Sequence, residues 1–436
     1  MNYPNLAEKE VYSMPLNVVF KNDAKEYQGK TFVYAPLANQ CLILDVEKLQ
    51  QLEDWANGRD VSDEMVSLGE SLTKIDKGRI RNRVASIDDY STLVYLLNYK
   101  CNFACRYCYS AKGRSNGELD QEKADAILLP FAKLRQGRSL TLSFGGGGEP
   151  LLSWPLMRHL LEQAVSYGKE YHFECQFNMT TNGSLLTRDI IRTLKDYGMF
   201  VQISFEILPD IQNKQRGMYD TVASNIDMMI EEGLTPSISA IITPLSVKRQ
   251  TEMVQHLLTR FPKLPHASFD YVKDYVEDLS MCENVERLTR FLDEFYDNFF
   301  QAKVFAEQHG FSLNTPVEKK VNSCQYHSCE GSFAVTAFGS ITMCPRISSP
   351  QEKCYDLLTV ANIEKDGLVV DKEKYDNWLS YTWERRPVCR NCMAKWNCGG
   401  GCPLTEELFK EEMNAVHCAF LRRFIARRLI AERHLL

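Results

Sequence analysis

Residues 92–110 read TLVYLLNYKCNFACRYCYS, a β-branched, aromatic and aliphatic run that leads into a loop with three cysteines. Such a run, bounded by polar residues, predicts a strand. Cys101, Cys105 and Cys108 follow it at C-x3-C-x2-C spacing. Three thiolates on one tight loop can hold three corners of a four-iron cubane, leaving the fourth iron open to a substrate. The competing occupant is zinc, which ordinarily asks for four ligands at C-x2-C-type spacing, and no fourth Cys or His lies nearby in the sequence.

Outward from this loop the strand pattern recurs: SLTLSFG (139–145), FECQFNMT (173–180), MFVQISFE (199–206), TPSISAII (235–242) and ASFDYV (267–272). Helical stretches near 121–136, 154–169, 187–197, 221–232 and 247–261 separate them. A crossover long enough for a helix permits parallel pairing, so these units predict an α/β fold with a parallel sheet of six strand-helix units, open or curled into a partial (β/α)6 barrel. Chemistry in such sheets collects at the C-terminal strand ends. The cysteine loop follows the first strand, GGGGEP (145–150) the second, TTNGS (180–184) the third, and Ser204-Phe205-Glu206 closes the fourth. Asp270 and Tyr271 end the sixth, facing a substrate on this topology.

The chain has 436 residues with 51 Lys and Arg against 57 Asp and Glu, a net charge of -6, so no basic field draws nucleic acid. No 18-residue apolar run could span a membrane. The N-terminal MNYPNLAEKEVYSMP lacks the basic start and apolar core of a secretory signal, and the expected location is the cytoplasm. Fifteen cysteines in that reducing compartment point to metal rather than disulfides.

The CNFACRYCY loop followed by the GGEP segment resembles the radical S-adenosylmethionine (SAM) superfamily. The resemblance implies a SAM-binding 4Fe-4S cluster on Cys101, Cys105 and Cys108. SAM chelates its open iron and is reductively cleaved to methionine and a 5'-deoxyadenosyl radical. In that frame the glycines, Gly147 and Gly148 among them, let backbone approach a ligand closely, and Glu149 accepts from the SAM ammonium. Tyr107 contacts the adenine. Ser204 and Arg216 match positions near SAM's carboxylate and ribose, and Thr181 and Asn182 are further SAM-side contacts, although Asn-Gly is also a common turn. The family's Asp-Gly after the serine is replaced by Glu206-Ile207, and no role is carried over to Glu206.

Beyond residue 320 the cysteines run Cys324-x4-Cys329-x9-Gly339-x4-Cys344, then Cys389-x2-Cys392-x5-Cys398-x3-Cys402, then Cys418. Eight cysteines suffice for two four-iron clusters or two zinc sites. The array resembles the SPASM extension of radical SAM enzymes. That resemblance places Cys329, Cys344 and Cys402, with Cys324 ahead of the motif, on a first auxiliary 4Fe-4S cluster, and Cys389, Cys392, Cys398 and Cys418 on a second. Three clusters and SAM are thus the expected cofactors. Cys41, Cys175, Cys282 and Cys354 remain as small buried or surface thiols. The basic side chains Arg422, Arg423, Arg427, Arg428 and Arg433 read as a solvated face.

Ahead of the barrel, LNVVF, TFVYAP and QCLILDV read as strands and 46–57 and 61–75 as helices. This α+β order loosely resembles small peptide-recognition domains, which bind a leader peptide as an added strand; a packing cap over the barrel is the alternative. The expected domains are 1–88, the barrel at 89–310 and the cysteine-rich SPASM domain at 311–436. The expected activity is modification of a ribosomally made precursor peptide, with a flavodoxin or ferredoxin as electron donor. The alternatives are a sulfatase-maturating enzyme that forms formylglycine and a non-catalytic cluster carrier.

Overall fold

The computed structural model describes residues 4–81, 86, 89–273, 284–329, 331–364 and 367–436. Cys282 and the expected boundary at residue 88 lie outside them. The chain forms two compact units. One gathers residues 1–83, 315–330 and 380–436; the other gathers 84–314 and 331–379.

In the first unit, β1 (Tyr12–Pro15), β2 (Lys30–Ala35) and β3 (Gln40–Asp45) form an antiparallel sheet in that order. Tyr12 pairs with Tyr34 and Lys30 with Asp45. The expected strand LNVVF is instead a helical turn, Leu16–Val19. Pro15, at φ -58, precedes that turn, and Leu16 and Val19, three apart on its surface, are both buried. Asp45 caps the helix Val46–Ala56 by accepting from Lys48 N at 2.8 Å, and Ser62 caps Asp63–Leu72. The helix Glu411–Glu432 places Ile425, Ala426 and Leu429 in one core with Phe32 and Tyr34 of β2. The expected solvated basic face of this helix is largely engaged instead. Arg423 is buried and donates to Val18 O at 3.0 Å, Arg428 pairs with Glu318 at 3.0 Å, and Arg433 donates to Asn39 O at 2.8 Å.

The second unit holds an eleven-stranded sheet. Its centre is the expected parallel series: β4 (Thr92–Tyr95), β5 (Ser139–Phe144), β6 (Glu174–Thr181), β7 (Phe200–Ser204), β8 (Ser237–Ile242) and β9 (His266–Tyr271), neighbours in sequence order. β10 (Ser312–Asn314) joins β9 in parallel. At the other edge β11 (Phe333–Val335) runs parallel to β4 and begins an antiparallel meander through β12 (Ser340–Thr342), β13 (Thr359–Glu364) and β14 (Gly367–Val370). The strands between Phe333 and Val370 thus extend the barrel sheet. No helix among the described residues is long and apolar enough to cross a membrane.

Candidate active site

Leu93 to Leu97 are buried and anchor the entry to the cysteine loop. Within it, Phe103 N–H donates to Cys101 Sγ at 3.4 Å. Burial pushes the Cys101 thiol up and the Cys105 thiol up to about 11; the Cys108 charge adds to both, and the Cys101 charge adds to Cys105. Two guanidiniums oppose that burial. Arg114 hydrogen-bonds to Cys108 and to Phe103 O and acts on all three thiols, and Arg216 acts on Cys105. Both Arg114 and Arg216 carry a buried Nε with no partner. Soft thiols, cations and unspent N–H donors in one place fit a thiolate-ligated cluster and an anion beside it. Among the described residues no group of three or more His, Cys, Asp or Glu closes tightly enough for a single metal ion. A cubane spaces its thiolates more widely than one zinc ion does, because each binds a different iron.

The glycine loop serves this geometry through the protein's own backbone. A Cβ on Gly148 would lie 1.9 Å from Lys100 O, and one on Gly147, at φ +65, 2.7 Å from Asn98 O. Gly148 N and Glu149 N donate to those same carbonyls at 2.8 Å. The close approach is therefore to the chain that leads into Cys101. Glu149 is buried, and its carboxylate accepts from Thr181 Oγ1 at 2.6 Å, Asn182 N at 2.8 Å and Leu151 N at 3.3 Å. Asn182 Nδ2 in turn donates to Asn102 Oδ1 at 2.9 Å. Glu149, Thr181 and Asn182 thus lock the second and third strand ends to the cysteine loop. Burial raises the Glu149 carboxyl while these donors hold it down.

Tyr107 sends its hydroxyl to Glu206 Oε1 and accepts from Arg216 Nη1 at 2.8 Å. Glu206 is fully buried, takes Ile241 N–H at 3.1 Å on its other oxygen, and lies 3.9 Å from Arg216. Burial pushes its carboxyl up to about 7, against the Arg216 charge. Ser204 ends β7 half-buried. Asp270 pairs with Lys273 at 3.0 Å, and its buried Oδ1 has no partner. Arg114 gave no signal in the sequence, being one charged residue among many.

Residues 95–257 match the model of the radical SAM superfamily. The chain carries a radical SAM domain. It is similar to the radical SAM cyclopropyl synthase TigE of Paramaledivibacter caminithermalis, 23% identical over 76% of this chain and 72% of that one. The structure of native anSMEcpe with bound AdoMet superposes with a TM-score of 0.61 at 16% identity, covering 79% of this chain and all of the other. Streptococcus suis SuiB bound to its precursor peptide SuiA gives 0.51 at 13% identity, covering 93% and 97%. The chain shares the fold of these two solved structures.

Of its C-terminal cysteines, Cys389, Cys392, Cys398 and Cys418 meet within the first unit. Burial pushes Cys389 up to about 12 and also raises Cys398 and Cys418, and the four act on one another's charge. Cations face them: Arg386 acts on Cys389, Cys398 and Cys418, Lys320 acts on Cys398, and Arg422 Nη1 lies 4.0 Å from Cys392 Sγ. This donor set fits a fully ligated four-iron cluster. Cys324, Cys329 and Cys402 belong to the first unit and Cys344 to the second. Cys324 is buried with Leu37 and Trp396, its thiol 3.6 Å from Pro36 O and hydrogen-bonded by Arg79.

Proposed function

We propose that this radical SAM enzyme modifies a ribosomally synthesised precursor peptide, forming a thioether or carbon–carbon crosslink. Cys101, Cys105 and Cys108 would hold the SAM-binding cluster. When reduced by a flavodoxin or ferredoxin, that cluster supplies the electron that splits SAM into methionine and a 5'-deoxyadenosyl radical. The radical takes one hydrogen atom from the peptide. Closing the crosslink would release one proton and one electron, and an auxiliary cluster held by Cys389, Cys392, Cys398 and Cys418 would supply an acceptor for that electron. Arg216 and Arg114 hold negative charge at the loop, and the Glu149 staple keeps the three strand ends in register.

The observation that carries this reading is the extent of the likeness beyond the barrel. SuiB, solved with its precursor peptide, aligns with 93% of this chain, whereas all of anSMEcpe aligns with only 79%. The N-terminal unit also offers a three-stranded sheet, to which an extended leader peptide can add as a further strand. The test is anaerobic co-expression with the short open reading frame beside its gene, followed by mass spectrometry. Loss of two hydrogens per crosslink supports the reading. An unmodified peptide that also fails to bind, together with an aldehyde on a sulfatase-derived peptide, would replace it with sulfatase maturation.

A further inference from the structure

Glu206 stands where the family pattern has a short acid followed by glycine, and in this chain it is built into a closed hydrogen-bonded set. Its backbone N–H donates to Gln212 Oε1 at 2.8 Å, and Gln212 Nε2 reaches Gly217 O at 2.9 Å, so the acid and the turn carrying Arg216 are tied together. One carboxylate oxygen takes the Tyr107 hydroxyl and the other the Ile241 N–H. Arg216 Nη1 closes the set on the Tyr107 oxygen, and Arg106 N donates to Gln215 O at 3.0 Å. The segment between Cys105 and Cys108 is thereby fastened at two points, to Glu206 just past β7 and to Gln215 at the end of the helix that follows. The remaining Arg216 Nε is buried and without a partner.

We propose that Glu206 is a positioning residue for SAM. Through Tyr107 it fixes the cysteine loop, and by pairing with Arg216 it orients the guanidinium whose unpartnered Nε–H receives an anionic group of the bound ligand. A buried guanidinium without a countercharge would have to turn or draw in water, so loss of the carboxylate changes where its donors point. This rests on Cys101, Cys105 and Cys108 being the cluster ligands, and goes beyond the peptide-modification reading without depending on it.

The experiment compares native protein with Glu206→Gln, Glu206→Ala and Tyr107→Phe, each reconstituted anaerobically. Iron content, SAM affinity by equilibrium dialysis, and the change in the reduced cluster's EPR spectrum on adding SAM are measured. Tyr107→Phe removes one oxygen and keeps the ring, so it guards against a Glu206 variant that fails to fold. We expect native iron content, SAM binding weakened at least tenfold in Glu206→Ala and Tyr107→Phe, a smaller loss in Glu206→Gln, and a SAM-induced spectral change that is altered or absent. Native affinity and a native spectral change in Tyr107→Phe and Glu206→Gln would overturn the proposal. If the Cys101, Cys105 and Cys108 triple Ala variant keeps the native iron content, the ligand assignment beneath it fails instead.

Discussion

Arg114 acts on all three thiols of the cysteine triplet, and it hydrogen-bonds to Cys108. A positive charge donating to a thiolate ligand stabilises the reduced, more negative cluster. Hydrogen bonds to charged groups contribute about 1.5–3 kcal/mol, and a factor of ten in a one-electron couple is about 59 mV. Arg114→Ala should therefore lower the midpoint potential of this cluster by roughly 60 mV or more, read by EPR-monitored redox titration, while Arg114→Lys keeps most of the native value. Glu206 makes a second prediction. Its folded carboxyl, raised by burial to about 7 from 4.5, binds a proton that the unfolded chain releases earlier. Stability from this group is thus fully present below about 4.5 and is lost as pH climbs through 7, by up to about 3 kcal/mol. Glu206→Gln should flatten the fall in unfolding temperature between pH 5 and about 8; a parallel fall in both proteins would show that the carboxyl is ionised throughout. Beside it, Ile207 is fully buried at φ +68, a left-handed backbone that costs a β-branched residue about 1–2 kcal/mol. Packing outweighs that strain, since emptying such a site costs about 2–5 kcal/mol. Both Ile207→Gly and Ile207→Ala should destabilise, but Gly less than Ala by about 1 kcal/mol, the reverse of the order in unstrained core sites. The replacement of Asp-Gly by Glu206-Ile207 was legible in the sequence. Its consequences were not, because they depend on Tyr107, Gln212 and Ile241, which only the fold brings to one point.

At the scale of elements, the six parallel strands were legible because their signal is local: β-branched runs of the right length, spaced by helices whose caps are written in the chain, as at Asp120 and Thr187. LNVVF failed as a strand because four apolar residues do not distinguish a period of two from one of 3.6, and the proline before them decided the outcome. The glycine loop was legible as a close approach, but its partner was not, since Asn98 and Lys100 meet it across the β4–β5 pairing. That contact gives a sharp test. In Gly148→Ala the new methyl meets Lys100 O, a backbone atom that cannot swing aside, so the chain entering Cys101 must move. The expected result is loss of about four irons per chain and of SAM cleavage. Gly198→Ala is the control: at φ +63 with nothing within 4 Å, it should cost about 1 kcal/mol and leave the iron unchanged.

Across the whole molecule, the cysteine-rich third was legible in its spacing, but not in how its segments are divided between the two compact units. Residues 331–379 extend the barrel sheet, while 315–330 and 380–436 pack with the N-terminal strands. Sequence spacing identifies thiols that share a loop, but it does not identify the scaffold on which that loop is mounted. The four thiols expected on a second auxiliary cluster show the difference. Three come from the run 389–398, and Cys418 arrives on the helix Glu411–Glu432, one turn before Arg422 on the same face. That helix shares the core of Phe32 and Tyr34, so the set stands on the N-terminal sheet rather than on the barrel. Removing Cys389, Cys392, Cys398 and Cys418 together should therefore cost about four irons and leave the SAM-binding cluster assembled. 5'-Deoxyadenosine should still form under dithionite, because the Cys101 loop draws its cations and staples from its own unit. Crosslinked peptide should disappear, because the electron released on ring closure has lost its acceptor. If crosslinking survives at the native yield, the electron leaves by another route and this set serves the N-terminal unit as a structural clasp.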